Sequence, residues 1–193
     1  LEKHFAENGD FAIGGYEYSN HSERVPEAMQ NVLSSAKRID VIAQELRGFA
    51  RRGPDSRMGI ISVNAIVKSA VVLVSNLLRK STERFEVVYG NNLPYVRAHY
   101  QRMEQVLINL IQNACQALPD RQKGIQVSTS YDSQKDAVVI VVRDEGIGVE
   151  QKHLERISEP FFTTKWESGG CGLGLWISSN IVMQHGGLMQ FNS

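Results

Sequence analysis

Two separated groups of polar residues have the types and spacing of a ligand site. Asn109 and Asn113 lie four positions apart in a stretch of helical periodicity, so both amides are expected on one face of a helix. Asp144 ends an apolar run typical of a strand and precedes Gly146 and Gly148 in the sequence DEGIG. An amide oxygen can ligate Mg²⁺, and a carboxylate at a strand end, under flexible glycine backbone, can form the floor of a pocket.

A third segment, EPFFTTKWESGGCGLGL at residues 159–175, has the chemistry of an anion site. It offers a lysine, two threonine hydroxyls and a run of glycines directly before a predicted helix. Cations, backbone N–H groups and a helix N-terminus all stabilise negative charge. Together, the three groups predict a site for a polyphosphate.

The sequence lacks the motifs of other phosphate-binding sites and of several catalytic centres. The chain has no Gly-Lys pair for a Walker loop, and its G-x-G-x-G spacing differs from the dinucleotide fingerprint. The H-R-D and D-F-G sequences of protein kinases are absent. The five histidines show no zinc-ligand spacing, and no Ser-His-Asp arrangement can be argued from the sequence.

The composition indicates which kinds of binding partner and which cellular compartment are expected. Lys+Arg and Asp+Glu both count 21 in 193 residues, so no basic excess points to nucleic acid or an anionic membrane. Cys115 and Cys171 are far apart, which fits a reducing, cytoplasmic setting. The most apolar stretch is interrupted by Lys68 and is too short to span a bilayer, so we expect no membrane contact by this chain. It begins at Leu1 and is predicted to be a fragment whose full-length protein could be anchored upstream.

Residues 1–23 are predicted to form the end of a helix and then a loop. A helical segment is predicted to follow, up to residue 53. From Arg24 to near Gly53, two apolar series repeat every seven residues and interleave, namely Val25, Val32, Ile39 and Leu46 with Met29, Ala36, Ala43 and Ala50, and Pro26 suits a first helical turn. This spacing is that of a helix-bundle or coiled-coil seam and favours a homodimer. One amphipathic helix that packs on its own domain is the alternative.

The remaining periodicity predicts the elements that position the three polar groups. They are, in order, a strand at 58–62, a helix at 63–79 capped by Ser62, a strand at 84–90, a helix at 100–118, a hairpin of strands at 124–131 and 136–144, a short helix near 150–157, a helix at about 173–185 and a strand from 187. Strands and helices mix without regular βαβ alternation. This predicts an α/β fold, a two-layer sandwich with helices on one face of a mixed sheet.

The order NLIQNA, DEGIG, EPFFTTK and GCGLGL resembles the N, G1, F and G2 boxes of the catalytic ATP-binding domain of sensor histidine kinases, in the GHKL ATPase superfamily. The likeness covers about residues 58–193. RIDVIAQELRGFARRGP also resembles the second helix of the dimerisation and phosphotransfer domain of these kinases. The resemblance implies a partial dimerisation segment at 1–53, a histidine-kinase-type ATPase domain at 54–193, and ATP and Mg²⁺ as cofactors.

The resemblance also implies a role for each matching residue. Asn113 resembles the Mg²⁺ ligand, Asp144 the acceptor for the adenine amino group, and Asn109 and Lys165 the residues that act in catalysis at the phosphates. Val149 would pack on the base, and Phe161 and Phe162 would anchor a lid over the nucleotide. The full set of predicted cofactor-binding residues is Asn109, Asn113, Asp144, Gly146, Gly148, Val149, Phe161, Lys165, Gly170, Gly172, Leu173, Gly174 and Leu175.

The implied activity is transfer of the ATP γ-phosphoryl group to a histidine, and then to an aspartate of a response-regulator receiver domain. His4 and His21 lack the acidic neighbour of the family's acceptor box, so we expect that histidine upstream and no self-phosphorylation by this fragment. A hydrolytic GHKL ATPase and an anti-sigma-type serine kinase are the alternatives, but both place a glutamate where this chain has Asn109. The chain departs from the family at Cys171, often a hydroxyl residue, and lacks the family's last strand.

Overall fold

A computed structural model describes residues 58–165 and 171–193, and residues 7, 9, 12–13, 16–17, 26–36, 39 and 43 of the preceding part. The chain divides into two compact units, Leu1–Gly48 and Phe49–Ser193. The predicted functional division after residue 53 stays a prediction.

The first unit contains a short hairpin and helical residues. Strands β1 (Ala12–Ile13) and β2 (Tyr16–Glu17) pair antiparallel within the region predicted as a loop. Residues 26–36 are helical, as the seven-residue repeat predicts, and Pro26 lies in the first turn. Val32 and Ile39 of the seam are 70% and 66% exposed within the single chain. The predicted helix end near Gly53 lies outside the described residues.

The second unit has two small sheets and five described helices. Its elements are β3 (Gly59–Ile61), α1 (Val63–Leu73), α2 (Ser75–Ser81), β4 (Arg84–Val88), β5 (Val96–Ala98), α3 (Tyr100–Ala117), β6 (Gly124–Asp132), β7 (Ala137–Asp144), α4 (Gln151–Leu154) and α5 (Gly174–Gln184). β3 pairs antiparallel with β5, while β6 lies between β4, which is parallel to it, and β7, which is antiparallel. The mixed sheet confirms the predicted fold class.

Alternation along β6 determines which face of the sheet is buried. Ile125 and Val127 are 1% and 0% exposed, whereas Gln126 between them faces solvent. The buried face packs on α1 and α3 in one core, to which Ile66 and Ile111 contribute side chains with almost no exposure. The long helix α3 is therefore fixed in position along the sheet. None of the described helices is long and apolar enough to cross a membrane.

The second unit differs from the sequence prediction in several places. The predicted helix at 63–79 is divided at Val74, although the hydrogen bonds from Val74 to Ala70 and from Leu78 to Val74 continue across the break. Ser62 occupies the N-cap position without a side-chain cap hydrogen bond. Strand β5 was not predicted, and residues 187–193, predicted to begin a strand, pair with no described strand. A strand needs a partner for its N–H and C=O groups, and local pattern does not supply one.

Candidate active site

The DEGIG loop leaves β7 and packs against the carboxyl end of α3. The Gly146 N–H donates to Asp144 Oδ1 at 2.9 Å, and the Ile147 N–H donates to the Ala117 carbonyl at 3.0 Å. A Cβ atom on Gly146 would lie 2.5 Å from Asp144 Oδ1 and 2.6 Å from Ala117 Cβ. The close approach explains the glycine and brings Asp144 to the helix that carries both asparagines.

This packing predicts that Gly146→Ala destabilises the protein. The new methyl group would also lie 2.8 Å from the Ala117 backbone oxygen, which cannot rotate away. We expect a loss of about 1–3 kcal/mol in the free energy of unfolding, measured by denaturant titration. Gly59→Ala is the control, since its nearest contact would be a side-chain carbon at 3.9 Å. Equal stability of the two variants would contradict the close contact.

Asn109 joins α3 to the beginning of α5. Its Nδ2 donates to Ser178 Oγ at 2.9 Å, and a Cβ atom on Gly174 would lie 2.5 Å from its Oδ1. Ser178, which is 2% exposed, was not among the predicted site residues; its signal in the sequence is a hydroxyl residue within an apolar helical stretch. The amide of Asn109 therefore holds the glycine-rich helix start against the asparagine helix. Its predicted contact with phosphates stays a prediction.

Asn113 lies one turn further along α3 and is half-buried. Its amide makes no hydrogen bond within the part of the chain that the structure describes. Among the same residues, no three His, Cys, Asp or Glu side chains form a metal-binding group. Mg²⁺ commonly binds through one or two protein ligands together with substrate phosphates and water. An unpaired amide without a preformed cage fits a Mg²⁺ ion that arrives with a polyphosphate.

The two ends of the predicted anion segment meet at their backbones. The Phe161 N–H donates to the Gly172 carbonyl at 3.0 Å, and both residues have left-handed backbone, with φ of +66° and +71°. A Cβ atom on Gly172 would lie 2.6 Å from the Phe161 carbonyl carbon, so a glycine is required there. Gly170 lies outside the described residues.

Lys165 is half-buried beside this junction, and its backbone N–H donates to Thr163 Oγ1 at 3.0 Å. Burial lowers the pKa of its ammonium group, and the negative charge of Asp144 acts in the opposite direction. The lysine is therefore close enough to Asp144 to interact with it electrostatically.

The other predicted residues lie in or next to the DEGIG loop and at the start of α5. Gly148 has a φ of +72°, and Val149, 38% exposed, donates its N–H to Ser193 Oγ at 2.7 Å. Leu173 directs its side chain into the core, at 1% exposure, and Leu175 is half-buried. Leu173 therefore anchors the start of α5.

Phe162 has supporting contacts that the sequence analysis missed. The Arg156 guanidinium lies 4.6 Å from the centre of its ring, and the His153 ring lies 5.4 Å away. Arg156 is held in turn by Glu159, at 3.0 Å. A cation over an aromatic face is stabilising, and this pair ties Phe162 to the segment after α4.

A cleft of about 480 Å³ lies elsewhere in the second unit. Its lining residues are Leu154, Ser158, Ser179, Met183, Gly187, Leu188, Met189, Gln190, Phe191 and Asn192. Among the residues that the structure describes, none of those predicted to bind nucleotide lines it.

Comparison with known proteins identifies the class. The family model for histidine kinase-, DNA gyrase B- and HSP90-like ATPases matches residues 98–193, from the last residue of β5 to beyond α5. The signal transduction histidine-protein kinase AtoS of Escherichia coli K12 is 34% identical over 162 residues, which cover 83% of this chain and 26% of AtoS. The chain carries a GHKL ATPase domain of the histidine-kinase type. It spans 18–37% of the length of the curated relatives described by these comparisons.

Solved structures agree with this assignment. The nucleotide-free catalytic domain of histidine kinase ThkA superposes with a TM-score of 0.57 at 29% identity, over 66% of this chain and 81% of that one. ThkA in complex with the response regulator TrrA gives a TM-score of 0.62 at 24% identity, over 86% of this chain and 46% of that one. At that identity, the second likeness concerns the fold alone.

Proposed function

We propose that this chain is the ATP-binding kinase core of a two-component sensor histidine kinase. The observation that carries the proposal is the packing of two distant segments on the helix that carries Asn109 and Asn113. The Asp144 loop packs on the carboxyl end of α3, and the glycine-rich start of α5 packs on Asn109 of the same helix. This packing supports the assignment of the three polar groups to one site, and the matched family is an ATPase family.

The roles within this proposal follow the chemistry of each group. Asp144 accepts a hydrogen bond from the adenine amino group, and Asn113 ligates Mg²⁺, which neutralises charge on the phosphates when it is bound. Lys165, Asn109 and the backbone N–H groups before α5 face the phosphates. The bond from the γ-phosphorus to its bridging oxygen breaks, a bond to a histidine nitrogen forms, and ADP leaves. Such catalysis depends on positioning and charge neutralisation.

Fast hydrolysis is disfavoured by the residue at position 109. An amide cannot accept a proton from water, and the Asn109 side chain already donates to Ser178 Oγ. The hydrolytic ATPase and the serine kinase, the two alternatives from the sequence, both need a base that is absent at this position.

The proposal extends to partners and setting. A homodimer through the first unit would cover its exposed apolar residues, which include Met29, Val32 and Ile39. A response-regulator receiver domain is the proposed phosphate acceptor, as the complex of ThkA with TrrA suggests by analogy of fold. We place the site in the cytoplasm, with any membrane anchor elsewhere in a longer protein.

A labelling experiment separates the three candidate activities. The chain is incubated with Mg²⁺ and ATP labelled at the γ-phosphate, alone and with an acceptor-histidine helix joined upstream. We expect slow phosphate release and no labelled protein in the first case, and an acid-labile phosphohistidine in the second. Rapid release without an acceptor would indicate a hydrolytic ATPase, and an acid-stable label would indicate a serine kinase. Stoichiometric phosphate on His4 or His21 would overturn the assignment of the acceptor to another segment.

A further inference from the structure

Glu145, the residue after Asp144, makes two hydrogen bonds to a single residue of the neighbouring strand. Its backbone N–H donates to the Gly124 carbonyl at 3.0 Å, and its Oε2 accepts from the Gly124 N–H at 2.8 Å. The same Oε2 lies 3.2 Å from Arg84 Nη1. One side chain therefore connects the end of β7 to the first residues of β6 and β4.

The connection lies at a place where a strand would otherwise fray. Asp144 is the last residue of β7 and pairs with Ile125, the second residue of β6. Terminal residues of strands open more readily than central ones. The Glu145 contacts extend the pairing of β7 by one residue beyond Asp144.

Asp144 is thus held from two directions. On the sheet side, Glu145 binds Gly124, and on the helix side, Gly146 and Ile147 bind Asp144 itself and Ala117. The Gly124 N–H and the positive charge of Arg84 hold the pKa of Glu145 below its ordinary value. The Glu145 carboxylate therefore stays ionised at neutral pH and keeps its acceptor role.

We infer that Glu145 is a positioning residue for base recognition, which directs the Asp144 carboxylate toward the 6-amino group of the purine by binding Gly124. The inference rests on the proposed function, since it takes Asp144 as the residue that binds the base. Glu145 itself lies on the sheet side of the loop, where its carboxylate binds Gly124 and Arg84, and we assign it no contact with the nucleotide. It sets how well the protein distinguishes ATP from a nucleotide without the amino group.

The test compares ATP with purine riboside 5′-triphosphate, which lacks the 6-amino group, by calorimetric titration with Mg²⁺. We expect the unchanged chain to prefer ATP by about tenfold or more, the value of a well-made hydrogen bond to a charged acceptor. Glu145→Ala should reduce this preference about threefold to tenfold, with little change in affinity for the purine analogue. A purely structural role would weaken both nucleotides equally and leave the ratio unchanged.

Two further variants test whether the length of the Glu145 side chain or its charge is needed for the preference for ATP. Glu145→Gln keeps an oxygen within reach of the Gly124 N–H and should preserve the preference within about twofold. Glu145→Asp keeps the charge, but its carboxylate is one methylene short, so the preference should fall. Glu83→Ala is the matched control, because it removes another exposed ion pair, with Arg121 at 3.5 Å, from the same end of β4. It should leave the ratio as it is.

The outcomes distinguish failure of the positioning role of Glu145 from failure of base recognition by Asp144. No preference for ATP in the unchanged chain would overturn base recognition by Asp144, and the positioning role with it. A clear preference that survives in Glu145→Ala and Glu145→Asp, in protein shown to be folded by circular dichroism, would overturn only the positioning role.

Discussion

Asp144→Asn is expected to weaken ATP binding about 100-fold while the protein remains folded. The reason lies in the hydrogen bond from the Gly146 N–H to Asp144 Oδ1. An asparagine at this position must direct its only oxygen to Gly146, which turns its NH₂ group toward the base. Two donors, the asparagine NH₂ and the adenine amino group, would then face each other.

Calorimetric titration of the variant and the unchanged chain with Mg·ATP and Mg·GTP measures this effect. Guanine presents a carbonyl where adenine presents its amino group, so the unchanged chain should favour ATP. Asp132→Asn, at the opposite end of the β6–β7 hairpin, is a suitable control and should bind ATP normally. Equal affinities of the unchanged chain for ATP and GTP would refute the role of Asp144.

The second large effect is expected for Asn113→Ala, which should weaken binding of Mg·ATP by about 100-fold but metal-free ADP by only a few-fold. The half-buried amide of Asn113 has no hydrogen-bond partner among the described residues, so its removal leaves no other polar group unsatisfied. The loss should therefore appear through the metal and not through the fold.

Titrations with and without Mg²⁺ provide the measurement. Gln112→Ala is the matched control, because Gln112 is the exposed neighbour of Asn113 on α3. It should bind both ligands like the unchanged chain. If Asn113→Ala loses affinity equally with and without the metal, the assignment of Asn113 as a Mg²⁺ ligand is wrong.

Local sequence patterns were sufficient to predict the long helix and strands and to place the polar residues on them. Helix α3 and strands β6 and β7 were predicted to within a few residues, because α3 has a period of 3.6, β6 alternates with a period of 2, and β7 is a short continuous apolar run. The same pattern placed Asn109 and Asn113 on one helix and Asp144 at a strand end. The order of the four boxes then indicated the family, and the comparisons confirmed it. The roles of the individual residues stay predictions.

Tertiary contacts decided what local pattern could not specify. Asn109 meets Ser178, which is 69 positions away, and Glu145 meets Arg84, which is 61 positions away. Strand β5 exists through its partner β3, although its three residues alone have no strand signal. Period and propensity act over a few neighbouring residues, whereas such contacts form only when the chain has folded and brought distant segments together. The sequence thus determined which groups are candidates to bind a nucleotide, and the packing of the DEGIG loop and α5 on α3 determined that these groups lie around one helix.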